Sequence, residues 1–165
     1  MALSQSQIDF FCEHGYLRYG KILDDVAIEQ YRGHYDEMFE EASQSGGARN
    51  LVAKTNPAAG AAVAEPPRQM LQIMNCCERS LPFRKLLFDA RILDIVQDLI
   101  GPNIMLFRDQ ALSKPAFTGG PVTWHQDNAY WNCRPATLIS CWLTLDDVVK
   151  ENGGKVLGDV KHPLN

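Results

Sequence analysis

The chain changes character at Gly101-Pro102, and this change limits the folds that it can adopt. Before this point, apolar residues recur at the spacing of amphipathic helices. After it, short apolar or alternating runs rich in β-branched and aromatic residues favour strands. Because the helices come first and the strands follow, the order predicts an α+β fold rather than an alternating α/β fold. The length of 165 residues suits one domain with its own core.

Local signals define the first two helices. Ser4 and Gln7 have the spacing of a capping box, and Gly15 ends the helix that follows them. The Asp24-Asp25 pair supplies a cap for a second helix, which Gly46-Gly47 stops. The sequence therefore predicts two helices separated by a short connection.

A Gly-, Ala- and Pro-rich segment separates these helices from a third. Residues 46–67 predict a long loop, which serves either as a lid or as a flexible connector. The third helix is predicted over Ala90–Ile100 and ends at Gly101-Pro102. Its predicted buried stripe consists of Ile92, Leu93, Val96, Leu99 and Ile100.

Short strands are expected at several places. One is predicted before the second helix, and the others follow Gly101. The predicted strands are residues 16–19, 104–107, 123–131, 137–145 and a strand beginning at 155–157. In the strand 137–145, alternation places Leu138, Ser140, Trp142 and Thr144 on one face.

Charge, hydropathy and cysteine usage narrow the classes of protein. The net charge of −4 comes without a basic cluster, so nucleic acid is not an expected partner. No apolar run approaches the ~18 residues of a membrane span, so no membrane association is expected, and no secretion signal is evident at the N-terminus. Five cysteines without a CxxC pair indicate free thiols in a reducing compartment, which predicts a cytoplasmic protein.

The tripeptide His125-Gln126-Asp127 is the strongest candidate for chemistry. In a strand, a His and an Asp two residues apart face the same side and lie close enough to hold one metal ion. A 2-His-1-carboxylate triad, which is typical of non-haem Fe(II) oxygenases, needs this pair and one more His. Taken alone, the tripeptide favours an ordinary hydrogen-bonded His near a strand end, because such tripeptides also occur by chance.

An ordered series of motifs surrounds the tripeptide. The series contains Lys114-Pro115, Gly119-Gly120, Tyr130-Trp131, Trp142-Leu143-Thr144-Leu145-Asp146-Asp147 and Glu151-Asn152-Gly153. Together with the tripeptide, it resembles the phytanoyl-CoA dioxygenase family of Fe(II)- and 2-oxoglutarate-dependent oxygenases. Gly15-Tyr16-Leu17 and the helix before Gly101-Pro102 are also similar to that family, so the likeness extends over nearly the whole chain.

The resemblance implies roles for individual residues. It makes His125 and Asp127 two of the three iron ligands, with no catalytic residue beyond the metal ligands. Gln126 falls in the stretch that lines the 2-oxoglutarate site of similar proteins. Trp142 falls where a tryptophan of related enzymes contacts 2-oxoglutarate, although a plain core aromatic is an alternative interpretation. Gln72 lies near a segment that supplies a further cosubstrate contact.

The cation for the distal carboxylate of 2-oxoglutarate is the next requirement of such a site. The family usually provides an Arg shortly after its distal His. Lys114 is the nearest cationic candidate in this chain, and a solvated lysine before Pro115 is its alternative interpretation. His162 aligns with a family His that is not an iron ligand. No residue matches the distal His or the Arg, so the resemblance implies a C-terminally truncated member.

The implied fold follows from the same resemblance. It consists of N-terminal helices followed by the first strands of a double-stranded β-helix, or jelly-roll barrel, which is incomplete because such a barrel needs roughly eight strands. An incomplete barrel exposes a sheet edge and part of its core, which favours self-association through that edge.

The implied function is that of a dioxygenase-like protein. An intact member would use Fe(II), 2-oxoglutarate and O₂ to hydroxylate a small organic substrate, with release of succinate and CO₂. With two ligands, this chain is expected to bind iron weakly and to show little or no turnover. One alternative is a non-catalytic binding or regulatory protein that keeps half of the fold. Another is a cupin-like or hydrolytic metalloprotein in which His162 completes the site.

Overall fold

A computed structural model describes residues 2–52, 69–122, 124–131, 133–135, 137–155 and 157. Within these ranges, the helices are α1 (Gln5–His14), α2 (Asp25–Ser45), α3 (Cys76–Arg79), α4 (Leu81–Leu86) and α5 (Ala90–Ile100). The strands are β1 (Arg49–Asn50), β2 (Leu71–Met74) and β3 (Gln110–Ser113). Two 3-10 turns follow, at Asp127–Ala129 and Lys150–Asn152. Most of the predicted loop 46–67 lies outside the described residues, and so does His162.

The predicted helix boundaries are confirmed because their caps form. The Ser4 side chain accepts a hydrogen bond from the backbone of Gln7, which completes the capping box, and Gly15 ends α1 at a φ of 74°. Asp24 caps α2 through the backbone N–H of Ala27. α5 covers the predicted residues 90–100. Its buried residues are Ile95 and Val96, and Ile92, Leu93 and Leu99 are half-buried, whereas Ile100 is exposed. The predicted stripe was therefore wrong at Ile100, and it omitted Ile95.

A three-stranded antiparallel sheet in the order β1-β2-β3 forms the other layer. In its register, Gln72 of β2 lies opposite Arg49 of β1 and Leu112 of β3. Ile73, on the central strand, has an exposed fraction of 0% and joins the sheet to α2. The core cluster around it contains Met38, Ala42, Cys76 and Ala111. The α+β class is therefore confirmed, with α2 packed on a small sheet.

Several predicted strands were wrong in the described part of the chain. Residues 16–19, 104–107 and 137–145 are irregular, and residues 124–131 lead into a 3-10 turn. An apolar or alternating pattern identifies a segment that suits a strand, but a strand forms only where a neighbour completes its hydrogen-bond ladder. β3 forms at Gln110–Ser113 because β2, which the sequence pattern did not indicate, pairs with it over four residues.

Large apolar side chains after Gly101 remain exposed, among them Met105, Phe107, Trp124 and Tyr130. No helix in the described ranges has the length and apolar character needed to cross a membrane.

Candidate metal centre

His125 and Asp127 come together without the strand that was predicted to align them. The distance from His125 Nε2 to Asp127 Oδ1 is 3.6 Å, and each side chain is 39% exposed. The backbone of Gln126 is extended, and Asp127 then begins the 3-10 turn. One extended residue is enough to place the two flanking side chains on the same side. The predicted juxtaposition is therefore present although the regular strand is not.

The 3-10 turn fixes the backbone around Asp127. The carbonyl oxygen of Asp127 accepts hydrogen bonds from the backbone N–H groups of Tyr130 at 3.0 Å and Trp131 at 3.2 Å. The Gln126 carbonyl accepts one from Ala129 at 3.0 Å. The Tyr130 ring lies edge-on to the His125 imidazole, with 5.9 Å between the ring centroids. The turn thus carries an aromatic neighbour of His125 as well as the carboxylate.

The second carboxylate oxygen of Asp127 has a different partner. The Ser140 hydroxyl donates to Asp127 Oδ2 at 2.7 Å. Ser140 was not predicted as a site residue. The available signal was its position on the predicted face that it shares with Trp142, two residues away. This hydrogen bond connects the segment 137–145 to the His125–Asp127 pair.

The donor atoms of this pair are suited to a divalent transition metal. An imidazole nitrogen and a carboxylate oxygen are both ligands of Fe(II) and Mn(II). With metal–ligand distances of about 2.0–2.2 Å, one ion can contact both atoms across a gap of this size. Within the described ranges, no group of three or more His, Cys, Asp or Glu side chains could hold a metal ion. The structure therefore provides a pair of ligands rather than a triad in that part of the chain.

The other described histidines have partners in the helical region. His14 packs against the Phe10 ring, with 4.3 Å between the centroids. His34 Nδ1 lies 3.3 Å from Glu37 Oε2 on α2. His14 and His34 are therefore side chains of α1 and α2 with contacts on their own helices.

Trp142 is not a core residue, because its exposed fraction is 47%. The interpretation as a plain core aromatic was therefore wrong. The Lys155 ammonium lies 5.2 Å from the centroid of the Trp142 ring, within the range of a cation–π contact. Lys155 was missed by sequence reasoning, since no pattern pairs a lysine with an aromatic residue thirteen positions away. The two side chains place a positive charge beside an indole face.

Lys114 is partly buried and contacts the second 3-10 turn. Its ammonium donates to the Gly153 carbonyl oxygen at 3.5 Å. A Cβ atom on Gly153 would lie 2.7 Å from Lys114 Nζ, and Gly153 also has a φ of 100°. The positive φ explains why glycine occupies this position, whereas the end of the flexible lysine side chain could move away from a Cβ atom. The interpretation of Lys114 as a solvated lysine was wrong because its stem packs against Gly119 and Gly153.

Gln72 makes its contact within the sheet. Its side-chain amide donates to Gln110 Oε1, which joins β2 to β3 on the exposed side. The contacts thus bring His125, Asp127 and Ser140 together, whereas those of Gln72 are with β3 and those of Lys114 are with the Gly153 turn. A role in cosubstrate binding for Gln72, Lys114, Gln126 or Trp142 stays a prediction.

Helix α2 anchors the segments around the candidate site. Arg32 Nε donates to the Leu145 carbonyl at 2.8 Å, and Arg32 Nη2 lies 3.2 Å from Asp146 Oδ1. The Tyr35 hydroxyl donates to the Leu112 carbonyl of β3 at 2.6 Å, and burial raises the pKa of Tyr35 to about 12. Asp146 therefore forms an ion pair with α2 although its side chain is 80% exposed.

Comparison with known proteins identifies similar sequences over nearly the whole chain. The family model described as phytanoyl-CoA dioxygenase matches residues 11–157. The peroxisomal phytanoyl-CoA dioxygenase of Mus musculus is 26% identical over 155 residues, which cover 92% of this chain and 45% of the mouse protein. Its Rattus norvegicus counterpart is 27% identical over 168 residues, which cover 98% of this chain and 49% of the rat protein.

A third relative shares a shorter region. A probable alpha-ketoglutarate-dependent hypophosphite dioxygenase of Stutzerimonas stutzeri is 32% identical over 63 residues, which cover 38% of this chain and 22% of that protein. The chain spans about half the length of the phytanoyl-CoA dioxygenases that it matches. No solved structure matches the chain.

Proposed function

This chain belongs to the phytanoyl-CoA dioxygenase family, and we propose that it is an Fe(II)- and 2-oxoglutarate-dependent dioxygenase-like protein with His125 and Asp127 as its metal ligands. One observation carries the proposal: His125 Nε2 and Asp127 Oδ1 lie 3.6 Å apart in a half-exposed position. The arrangement offers one nitrogen and one oxygen ligand to the same ion. The alpha-ketoglutarate-dependent relative supports the choice of cosubstrate.

The chemistry depends on the residues that surround the bound group. When iron and 2-oxoglutarate are bound, they supply the O₂ activation that hydroxylates a C–H bond of a small organic substrate and releases succinate and CO₂. His125 contributes the lone pair of a neutral imidazole, and Asp127 contributes a carboxylate charge. Tyr130, edge-on to the imidazole, covers one side of the ring. Gln126, which lies between the two ligands in sequence, and Trp142, two residues from Ser140, are proposed cosubstrate contacts.

A positive charge for the distal carboxylate of 2-oxoglutarate has more than one candidate. Lys114 holds a backbone carbonyl of the Gly153 turn, so its ammonium would have to exchange that partner for the cosubstrate. Lys155, beside Trp142, is a second candidate for this cation in the described part of the chain. Gln72 on β2 is uncharged, and it is a further proposed contact of the cosubstrate that lies farther away in sequence. We propose that these contacts are weaker than the two parallel hydrogen bonds that an arginine donates to a carboxylate.

We also make proposals for the barrel, for self-association and for the location of the chain. We propose that the three strands begin a double-stranded β-helix. Exposed Met105, Phe107 and Trp124 support self-association of the isolated chain. The five free thiols favour the cytoplasm, whereas the mouse and rat relatives are named peroxisomal, which makes the peroxisome the second candidate.

A non-catalytic binding or regulatory role is the second candidate function. It is favoured by the presence of two metal ligands, not three, in the described ranges. The remaining alternative, a complete metal site that uses His162, concerns a residue outside the described part of the chain. Metal binding separates these possibilities.

We expect calorimetric titration of the 165-residue chain with Mn(II) to show weak binding that depends on His125. His125→Ala should abolish the measured heat of Mn(II) binding, because one carboxylate alone cannot chelate the ion. His162→Ala should bind Mn(II) like the wild type. Loss of binding in both variants would instead support a complete site with His162, and an absence of binding to the wild type would favour the regulatory function.

A further inference from the structure

The hydrogen bond between Ser140 and Asp127 has a consequence for how that carboxylate can bind a metal. We infer that Ser140 is a positioning residue that holds Asp127 as a ligand through one oxygen only. The inference rests on the proposed function, since it concerns the same metal site. Ser140 is not a proposed metal ligand, and it acts on the site through Asp127.

The two oxygens of Asp127 have different surroundings. Oδ2 accepts from the Ser140 hydroxyl at 2.7 Å, and Oδ1 lies 3.6 Å from His125 Nε2. A hydroxyl that donates to a carboxylate forms a charge-assisted hydrogen bond, which is stronger than a neutral one. Oδ1 is therefore the oxygen that faces the imidazole.

The backbone and the hydrogen bond together restrict the Asp127 side chain. The turn fixes the main chain of Asp127 through its bonds to Tyr130 and Trp131. The terminal torsion of an aspartate is otherwise broad and nearly two-fold, so the two oxygens exchange easily. A donor fixed in space on one oxygen favours one orientation. Ser140 therefore selects the oxygen that points at the metal position.

The segment that carries the donor is attached to the scaffold at its C-terminal end. Ser140 lies in the segment 137–145, and the end of that segment is attached to α2 through the bond from Arg32 to the Leu145 carbonyl. The adjoining Asp146 carboxylate also contacts Arg32. The position of the hydroxyl is thus linked to the packed helix–sheet layer and not only to a free loop.

Binding through one oxygen preserves coordination positions. A carboxylate that binds through both oxygens occupies two positions on the ion, and one that binds through a single oxygen occupies one. A bidentate 2-oxo acid and O₂ together need three open positions on the ion. Ser140 therefore favours a geometry in which those positions stay open.

The test compares Ser140→Ala with Ser140→Thr and with Ser43→Ala, in the 165-residue chain. Ser43 is a matched control because its exposed hydroxyl donates to a helical carbonyl of α2. We expect the Mn(II) dissociation constant to rise ~10-fold in Ser140→Ala, as is usual when a residue that orients a ligand is lost. Ser140→Thr, which keeps the hydroxyl, should restore the affinity, and Ser43→Ala should bind like the wild type.

A spectroscopic readout separates positioning from general damage. The visible d–d absorption of the Co(II)-loaded chain should change in Ser140→Ala and return to the wild-type form in Ser140→Thr. Equal affinity and equal spectra in wild type and Ser140→Ala would overturn the inference and leave the proposed metal pair intact. An absence of Mn(II) binding to the wild type would overturn both. An unchanged thermal midpoint in Ser140→Ala, expected for an exposed side chain, shows that any loss of affinity is local.

Discussion

Replacing Ile73 with alanine is expected to lower the free energy of unfolding by about 3 kcal/mol, within the range found for Ile→Ala changes in packed cores. Ile73 lies on β2, the central strand of the sheet, and is fully buried between the sheet and α2. The shorter side chain leaves a cavity against Met38 and Ala111, which cannot close without moving both layers. Urea denaturation followed by circular dichroism measures the loss.

Val26→Ala provides the control for this prediction. Val26 is an aliphatic β-branched residue on α2 with an exposed fraction of 68%. Its replacement should change the free energy of unfolding by less than about 0.5 kcal/mol. A loss below about 1 kcal/mol for Ile73→Ala would contradict the assignment of this cluster as the main core of the chain.

The second large effect concerns turnover. The 165-residue chain, supplied with Fe(II), 2-oxoglutarate and O₂, is expected to release succinate no faster than the same mixture without protein. The His125–Asp127 pair gives the ion two protein ligands, and Lys114 is engaged by the Gly153 turn. Catalysis by positioning requires the reacting groups to be held in a fixed geometry, which a weak two-ligand site does not provide. Succinate measured by chromatography, with oxygen uptake in parallel, tests this expectation.

His125→Ala is the control for the turnover experiment. If succinate release is background chemistry of free iron, the variant and the wild type will give the same rate. Robust release that disappears in His125→Ala would contradict the prediction of an inactive chain. It would also show that the metal site of this chain is complete in solution.

The helices follow from signals that lie within a few residues of one another. The capping box at Ser4 and Gln7 and the Asp24 cap form as the sequence predicts, because each acts on backbone groups of its own helix. The glycines that end α1 and α2 have positive φ for the same local reason. The boundaries of α1, α2 and α5 were therefore predictable to within a residue, whereas α3 and α4 were not predicted.

The strands depend on partners that are distant in sequence. The run 104–107 has an apolar pattern yet remains irregular, whereas Leu71–Met74 becomes the central strand through pairing with Gln110–Ser113. Neither outcome follows from the composition of the segment itself, because hydrogen-bonding partners decide it. Residues 137–145 alternate in sequence without forming a ladder in the structure.

The candidate site contains both kinds of contact, local ones and ones between residues distant in sequence. The adjacency of His125 and Asp127 was predictable because two residues separated by one extended residue face the same side. The Ser140 donor is thirteen positions from Asp127, and Arg32 reaches Leu145 across 113 positions. Such contacts arise from the tertiary fold; the alternation in 137–145 placed Ser140 on the face of Trp142, but it did not indicate the partner of either side chain. The pair could be predicted, but the residues that support it could not.

Pulsed electron paramagnetic resonance of the Mn(II)-loaded chain detects nitrogen atoms bound to the ion, so it shows whether His125 is a metal ligand. We expect coupling to a single imidazole, which disappears in His125→Ala and persists in His162→Ala. Coupling to two imidazoles, or coupling that survives the loss of His125, would contradict the claim that His125 and Asp127 form the metal-binding pair of this chain.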